Sequence, residues 1–408
     1  VKNTPYKKLF FVTVIWRFIL LLVGYLADSF IVYAPSFPHY TIMLASMNLP
    51  RWLYSWGNFD GVHYLTIVSE GYFGTGLIQA FFPVFPGLIT IFKKFFQITG
   101  LSSVIPGLFL VMFFIFQLIV AYGVVLLLFT FVKDLLRKTN KQAWWTVIAF
   151  LSFPTSLFFG ALYNEGLFLL LVLGSFWAAH HKKWWLAGVL GMIISATRVV
   201  GLAIWPALLL ELWLSVNKIK KLTDLQKNIK IKKLLEFIKK ESRNITVVSL
   251  TLLGLGSYMF YLWRVFGDPL YFFHLQSEFG AGRQEGIILL PQVIWRYIKI
   301  FMTVPHDWKF FSFIQEFIFS LVTLGSLLIF WKKIRPSHLL FSLLVFILPT
   351  LTGTLSSMPR YILVCFPIYF LLGEFLEKNK IIRGFALALS WLLLIINTLL
   401  FIQGYWVA

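Results

Sequence analysis

Apolar residues in this chain neither alternate nor keep to one helical face. They come in long continuous runs separated by short polar stretches, most of them basic. Such runs are long enough for a helix to cross about 30 Å of hydrocarbon. The pattern predicts spans over about 9–33, 104–132 and 143–160, a fourth returning from Tyr163-Asn164-Glu165 to the basic cluster His180-His181-Lys182-Lys183, then 184–198, 199–215, 244–266, 313–331, 337–352, 361–377 and 383–403. Residues 79–97 are also apolar, but Pro83 and Pro86 interrupt them and Lys93-Lys94 close them, so an interfacial or re-entrant helix is expected there. The predicted fold class is an all-α polytopic membrane protein of about 11 spans, or 12 if 79–97 crosses, in a single domain over 1–408.

The polar stretches fix the orientation. Lys133–Lys141 carries four basic residues, and 217–243 holds ten Lys or Arg against three acids, so both are expected on the cytoplasmic side. The first non-cytoplasmic loop is then 34–103, with interfacial helices inside it, and the second is 267–312, amphipathic around 287–304. Asp60, Glu165, Arg198, Arg283 and Arg360 all fall at outer ends of spans or in outer loops. Charge near membrane depth costs about 2.5–3.5 kcal/mol per residue on insertion scales, so several on one side predict a shared polar cavity.

Composition agrees with a bilayer. Of 408 residues 59% are hydrophobic and 13% charged, and the mean hydropathy is +0.82. The net charge of +20 lies in loops between spans, which favours lipid headgroups over nucleic acid as its partner. Cys365 is the only cysteine, so disulfides and cysteine-cluster metal sites are excluded. Lys2, Lys7 and Lys8 precede an apolar run too long for a signal peptide, so the first span is expected to stay as an anchor.

Five polar segments carry candidate chemistry. WGNFDGVHYLTIVSEGY (56–72) holds Asp60 between Gly57 and Gly61, with His63 and Tyr64 close behind. A partly buried carboxylate there is a candidate general base, with His63 orienting acceptor or phosphate. FPTSLFFGALYNEGLF (153–168) places Pro154, expected to kink its span, before Tyr163, Asn164 and Glu165, candidates for sugar hydroxyls or a cation. Arg198 and Arg360 are the best phosphate ligands, because a guanidinium holds phosphate through two parallel hydrogen bonds and stays ionised. GDPLYFFHLQSEFGAGR (267–283) adds His274 and Gln276 among aromatic residues.

FDGVHYLTIVSEGY, FFPVFPGL, FPTSLFFGALYNEGLF, ATRVVGL, GDPLYFFHLQ and SSMPRYILVCFPIY, in that order over 56–370, resemble the PIG-V type of membrane mannosyltransferase. That family (glycosylphosphatidylinositol mannosyltransferase II and its prokaryotic relatives) adds the second mannose of the anchor glycan. The resemblance implies a GT-C glycosyltransferase that inverts configuration. Its donor would be a polyprenyl (dolichyl) phosphate mannose and its acceptor a glycan or lipid-linked hydroxyl on the non-cytoplasmic face. It implies Asp60 as the essential acid, with Glu165, Arg198 and Arg360 lining the donor site. No metal site and no required cofactor are expected, at most a loosely bound divalent cation. Phe59, where eukaryotic members more often have Trp, favours a prokaryotic relative. The membrane would then be the prokaryotic plasma membrane, or that of the endoplasmic reticulum in a eukaryote. The competing readings are a GT-C enzyme for another sugar or a protein acceptor, and a polyprenyl-phosphate transporter or flippase.

Overall fold

The structure is a computed structural model and describes residues 5–100, 106–219, 231–280 and 282–407. Lys2, part of the first outer loop (101–105) and the middle of the basic loop (220–230) lie outside the described residues. Every regular element among the described residues is helical. Six helical stretches there are long and apolar enough to cross a bilayer: Tyr6–Ser29, Leu108–Leu135, Val199–Val216, Ser242–Phe266, Trp308–Ile329 and Lys380–Ile402. Glu165–His180, Trp184–Ser195 and Pro336–Thr350 are apolar but shorter. The chain is an integral membrane protein by this measure, and it divides into two compact units.

The first unit comprises Val1–Leu170, Val304–Ile314 and Tyr369–Ala408. It contains α1 (Tyr6–Leu26), α2 (Asp60–Glu70), α3 (Val84–Ile98), α4 (Leu108–Thr130), α5 (Asn140–Leu151) and the start of α6 (Glu165–His180). α4 lies at its centre, with Phe113, Ala121, Val124, Val125 and Leu128 fully buried. α1 packs against α4, and α3 packs between α2 and α4. At 15 residues α3 is about 22 Å long, short of the hydrocarbon thickness.

α5 shows how local sequence ends a helix inside an apolar region. Its N-terminus is capped by Thr139, whose Oγ accepts the Gln142 amide at 2.9 Å. The helix stops at Leu151, three residues before Pro154, so the span expected over 143–160 is broken rather than kinked. Proline has no amide to continue the ladder, and the carbonyls beyond the break must find other donors. The final helix of the unit supplies them: Ser390 Oγ donates to the Ser152 carbonyl (2.7 Å) and Asn397 Nδ2 to the Pro154 carbonyl (3.0 Å).

The second unit comprises Leu171–Thr303 and Gln315–Ile368. Here α7 (Trp184–Ser195), α8 (Ile204–Val216), α9 (Ile231–Lys240), α10 (Ser242–Ser249) and α11 (Thr251–Phe266) are followed by α12 (Leu290–Thr303), most of α13 (Trp308–Ile329), α14 (Pro336–Thr350) and α15 (Met358–Leu363). α7 lies in close backbone contact with α10 and α11. A Cβ on Gly188 would strike the Val247 carbonyl, and one on Gly254 the Met192 carbonyl. Small residues at such crossings let helices gain van der Waals contact that lipid tails cannot displace. The span expected over 361–377 is split between α15 and α16 (Pro367–Lys378), again at a proline, and α17 (Lys380–Ile402) ends the helical sequence.

Candidate functional site

In the first unit, two of the polar islands form one assembly. A 3₁₀ turn over Ser55–Gly57 leads into Phe59, and Asp60 is the first residue of α2. A carboxylate in that position is favoured by the helix dipole. Phe59 has φ 57° and ψ −111°, a backbone conformation that costs a non-glycine residue about 1–3 kcal/mol. Its ring offsets this by packing on Phe37, Trp406 and Phe401, with centroids 4.6, 5.4 and 6.0 Å away. The amide of Asp60 donates to Tyr163 Oη (3.3 Å), and the Tyr163 hydroxyl donates to the Asn58 carbonyl (3.3 Å). Asn58 Nδ2 donates to the Phe401 carbonyl (2.8 Å), and the Leu162 amide to the Trp56 carbonyl (2.8 Å). Gly61 suits this approach: a Cβ there would come within 3.3 Å of Leu162 Cβ and press it outward by a few tenths of an ångström.

The neighbouring predicted residues fall into different environments. His63 is partly buried and stacks on Phe81, centroids 4.9 Å apart at 26°. Burial pushes its pKa below the ordinary value, while the Asp60 charge pulls it up and His39 lowers it further. His63 is therefore neutral at pH 7. Tyr64 is an interior residue, 2% exposed, with its ring against Phe85 and Phe81. Tyr163, Asn164 and Glu165 are all buried, and Glu165 opens α6. The segment is tied to α4 by Gln117, whose Nε2 donates to the carbonyls of Tyr163 (2.6 Å) and Ala161 (2.9 Å).

Arg17, which the sequence reading passed over, belongs to the same assembly. It lies in the middle of α1, is 4% exposed, and has its guanidinium carbon 4.0 Å from the centroid of Trp56 and 5.9 Å from that of Phe114. Among the described residues neither terminal nitrogen has a hydrogen-bond partner, so the aromatic faces carry the charge. Gly160 makes room for it: a Cβ at Gly160 would sit 2.9 Å from Arg17 Cζ. Arg17 thus wedges between the Trp56 turn and the Gly160–Glu165 segment. Its signal in the sequence is a lone cation inside an apolar run.

In the second unit, Arg198 and Arg360 are buried, 9% and 6% exposed. Arg198 follows α7 in extended backbone, and its guanidinium carbon lies 4.8 Å from the ring centroid of Tyr361, next to Arg360 in α15. α15 begins after Ser357, whose φ of 65° turns the chain and whose amide donates to Glu316 Oε1 (3.2 Å). The other Glu316 oxygen accepts the Tyr297 hydroxyl at 2.6 Å. Arg198 therefore reaches Tyr361, the chain neighbour of Arg360.

His274 and Gln276 are engaged within their own loop. His274 Nδ1 lies 2.6 Å from Asp268 Oδ2, and Gln276 Oε1 accepts from Arg283 (3.0 Å). Slight burial raises the Asp268 pKa, but hydrogen bonds from His274 and the Leu270 amide outweigh it and hold the carboxyl below its usual range. The loop is anchored beside the residues preceding Ser357, since the Gln284 amide donates to the Thr352 carbonyl (2.8 Å) and Arg296 to that of Gly353 (3.1 Å).

Set against protein-family models, curated proteins and solved structures, the chain matches none of them. Fold and composition define the class, an all-helical integral membrane protein.

Proposed function

We propose that this protein is an inverting glycosyltransferase of the GT-C kind. It moves mannose from a polyprenyl-phosphate donor to a hydroxyl of a glycan or lipid-linked acceptor on the non-cytoplasmic face. The observation that carries the reading is how Asp60 is held: strained backbone at Phe59, an amide bonded to Tyr163, and a glycine packed on Leu162. Backbone strain persists where the surrounding structure enforces it, and it collects at functional sites.

In the reaction, the acceptor oxygen attacks the anomeric carbon as Asp60 takes its proton. The bond from that carbon to the phosphate oxygen breaks, and the polyprenyl phosphate leaves with the electron pair. The sugar passes through an oxocarbenium-like state, as in glycoside hydrolysis. Arg198 and Arg360 of the second unit, the first resting on Tyr361, are the guanidinium groups suited to hold a phosphate. Neutral His63, three residues after Asp60, offers a hydrogen-bonding ring nitrogen without adding charge.

The test is transfer by purified protein in detergent, with polyprenyl-phosphate mannose as donor. Asp60→Asn keeps the shape and removes the base, and turnover falls at least ~10²-fold, as expected for general-base catalysis. Near-wild-type turnover by this variant would overturn the assignment. Another hexose, or a peptide acceptor, used in preference by the wild type would keep the chemistry and change the substrate.

A further inference from the structure

In the second unit, His180 at the end of α6, Glu211 within α8 and His338 in the first turn of α14 meet. One donor atom of each lies within 4.8 Å of the other two. His180 Nε2 is 3.2 Å from His338 Nε2, and His180 Nδ1 is 3.4 Å from Glu211 Oε1. Glu211 and His338 are 1% and 2% exposed, and the rings of Phe176 and Phe366 pack on His338 with centroids 4.6 and 5.0 Å away. Ionisable groups at this depth are costly, and a buried ion pair is seldom worth more than apolar packing. Such a cluster therefore calls for a use.

We propose that His180, Glu211 and His338 form a site for a divalent transition metal of the Zn²⁺ type. Ligands about 2.0–2.1 Å from a tetrahedral ion stand about 3.3 Å apart, which is the spacing of His180 Nε2 and His338 Nε2; the Glu211 carboxylate, inside the same 4.8 Å cluster, closes on the ion by a side-chain turn. Two imidazoles and a carboxylate suit Zn²⁺ or Co²⁺ better than Mg²⁺ or Ca²⁺, which prefer oxygen alone.

The carboxylate is oriented from behind. Arg335 donates to Oε2 through Nε (2.7 Å) and to Oε1 through a terminal nitrogen (2.6 Å), and Ser337 Oγ donates to Oε2 (2.5 Å). Each carboxylate oxygen has two acceptor sites, so Oε2 is filled and Oε1 keeps one, on the His180 side. Outer contacts of this kind fix metal ligands in place. Arg335 also neutralises Glu211 when no metal is bound.

The experiment uses the full chain in detergent, with any polyhistidine tag removed, stripped by chelator and titrated with Co²⁺. The wild type takes up one equivalent with the visible spectrum of a four-coordinate ion, and Zn²⁺ displaces it and raises the unfolding temperature. His338→Ala and Glu211→Gln bind at least ~100-fold more weakly, at or beyond the limit of what outer-shell changes alone cost. Arg335→Gln, which loosens the carboxylate, binds about 10–100-fold more weakly. A stripped wild type that takes up no Co²⁺ overturns the proposal whatever the variants do. So does an equivalent that survives unchanged in His338→Ala.

Discussion

Gly160→Ala tests the wedge that joins the Asp60 turn to the Tyr163 segment. The new methyl would stand 2.9 Å from Arg17 Cζ and 3.3 Å from Cδ, closer than these atoms tolerate. Arg17 is 4% exposed and lies on the face of Trp56, so relieving the contact shifts its guanidinium off that ring. Overpacking costs about 1–3 kcal/mol, and a desolvated cation–π contact is worth up to about 2 kcal/mol. Together they predict a loss of roughly 2–4 kcal/mol for Gly160→Ala. Arg17→Met removes both the cation and the crowding atoms, so in that background the glycine change costs much less. The coupling between the two positions should be about 2 kcal/mol, well outside the 0.3–0.5 kcal/mol scatter of independent sites. Equilibrium unfolding in one detergent, on both single variants and the double, measures it directly. Additivity within about 0.5 kcal/mol would refute the wedge. Mannose transfer by the same four proteins then shows whether the geometry around Asp60 follows the packing.

Two further outcomes bear on the site. Arg360→Lys keeps the charge but loses the planar fork, so it weakens donor binding at least ~10-fold, seen as a raised KM for polyprenyl-phosphate mannose; unchanged donor affinity counts against phosphate binding there. His63 has a folded pKa below its unfolded value of about 6.5, so it stabilises the fold above that pH and loses this contribution as pH falls towards the folded pKa. His63→Gln should therefore flatten the acid side of the stability curve just below pH 6.5, and an unchanged slope there would contradict its burial against Phe81.

The parts legible in the sequence were those that hydropathy reports. Polar islands stood out against apolar runs, so Asp60, Tyr163, Arg198 and Arg360 were identifiable, and the structure bonds Asp60 to Tyr163 and leads Arg198 to Tyr361. Hydropathy measures solvent preference and is silent on backbone path. α5 therefore stops at Leu151 although apolarity continues, and a proline likewise separates α15 from α16. Arg17 was hidden by the opposite logic, since one cation does little to the average of an apolar run. His180 read as part of a basic turn, because nothing local indicates that Glu211 and His338 will arrive beside it.

The ring cluster around Phe59 links a local strain to a distant stretch of chain. Two of its three supports, Phe401 and Trp406, come from the last helix and the residues just beyond it. Were those rings lost, the turn ahead of α2 could relax to an ordinary conformation and swing the acid away from its post. Removing the tail from Phe401 onward is thus a substitution at the Asp60 turn in all but name, made 341 positions away along the chain.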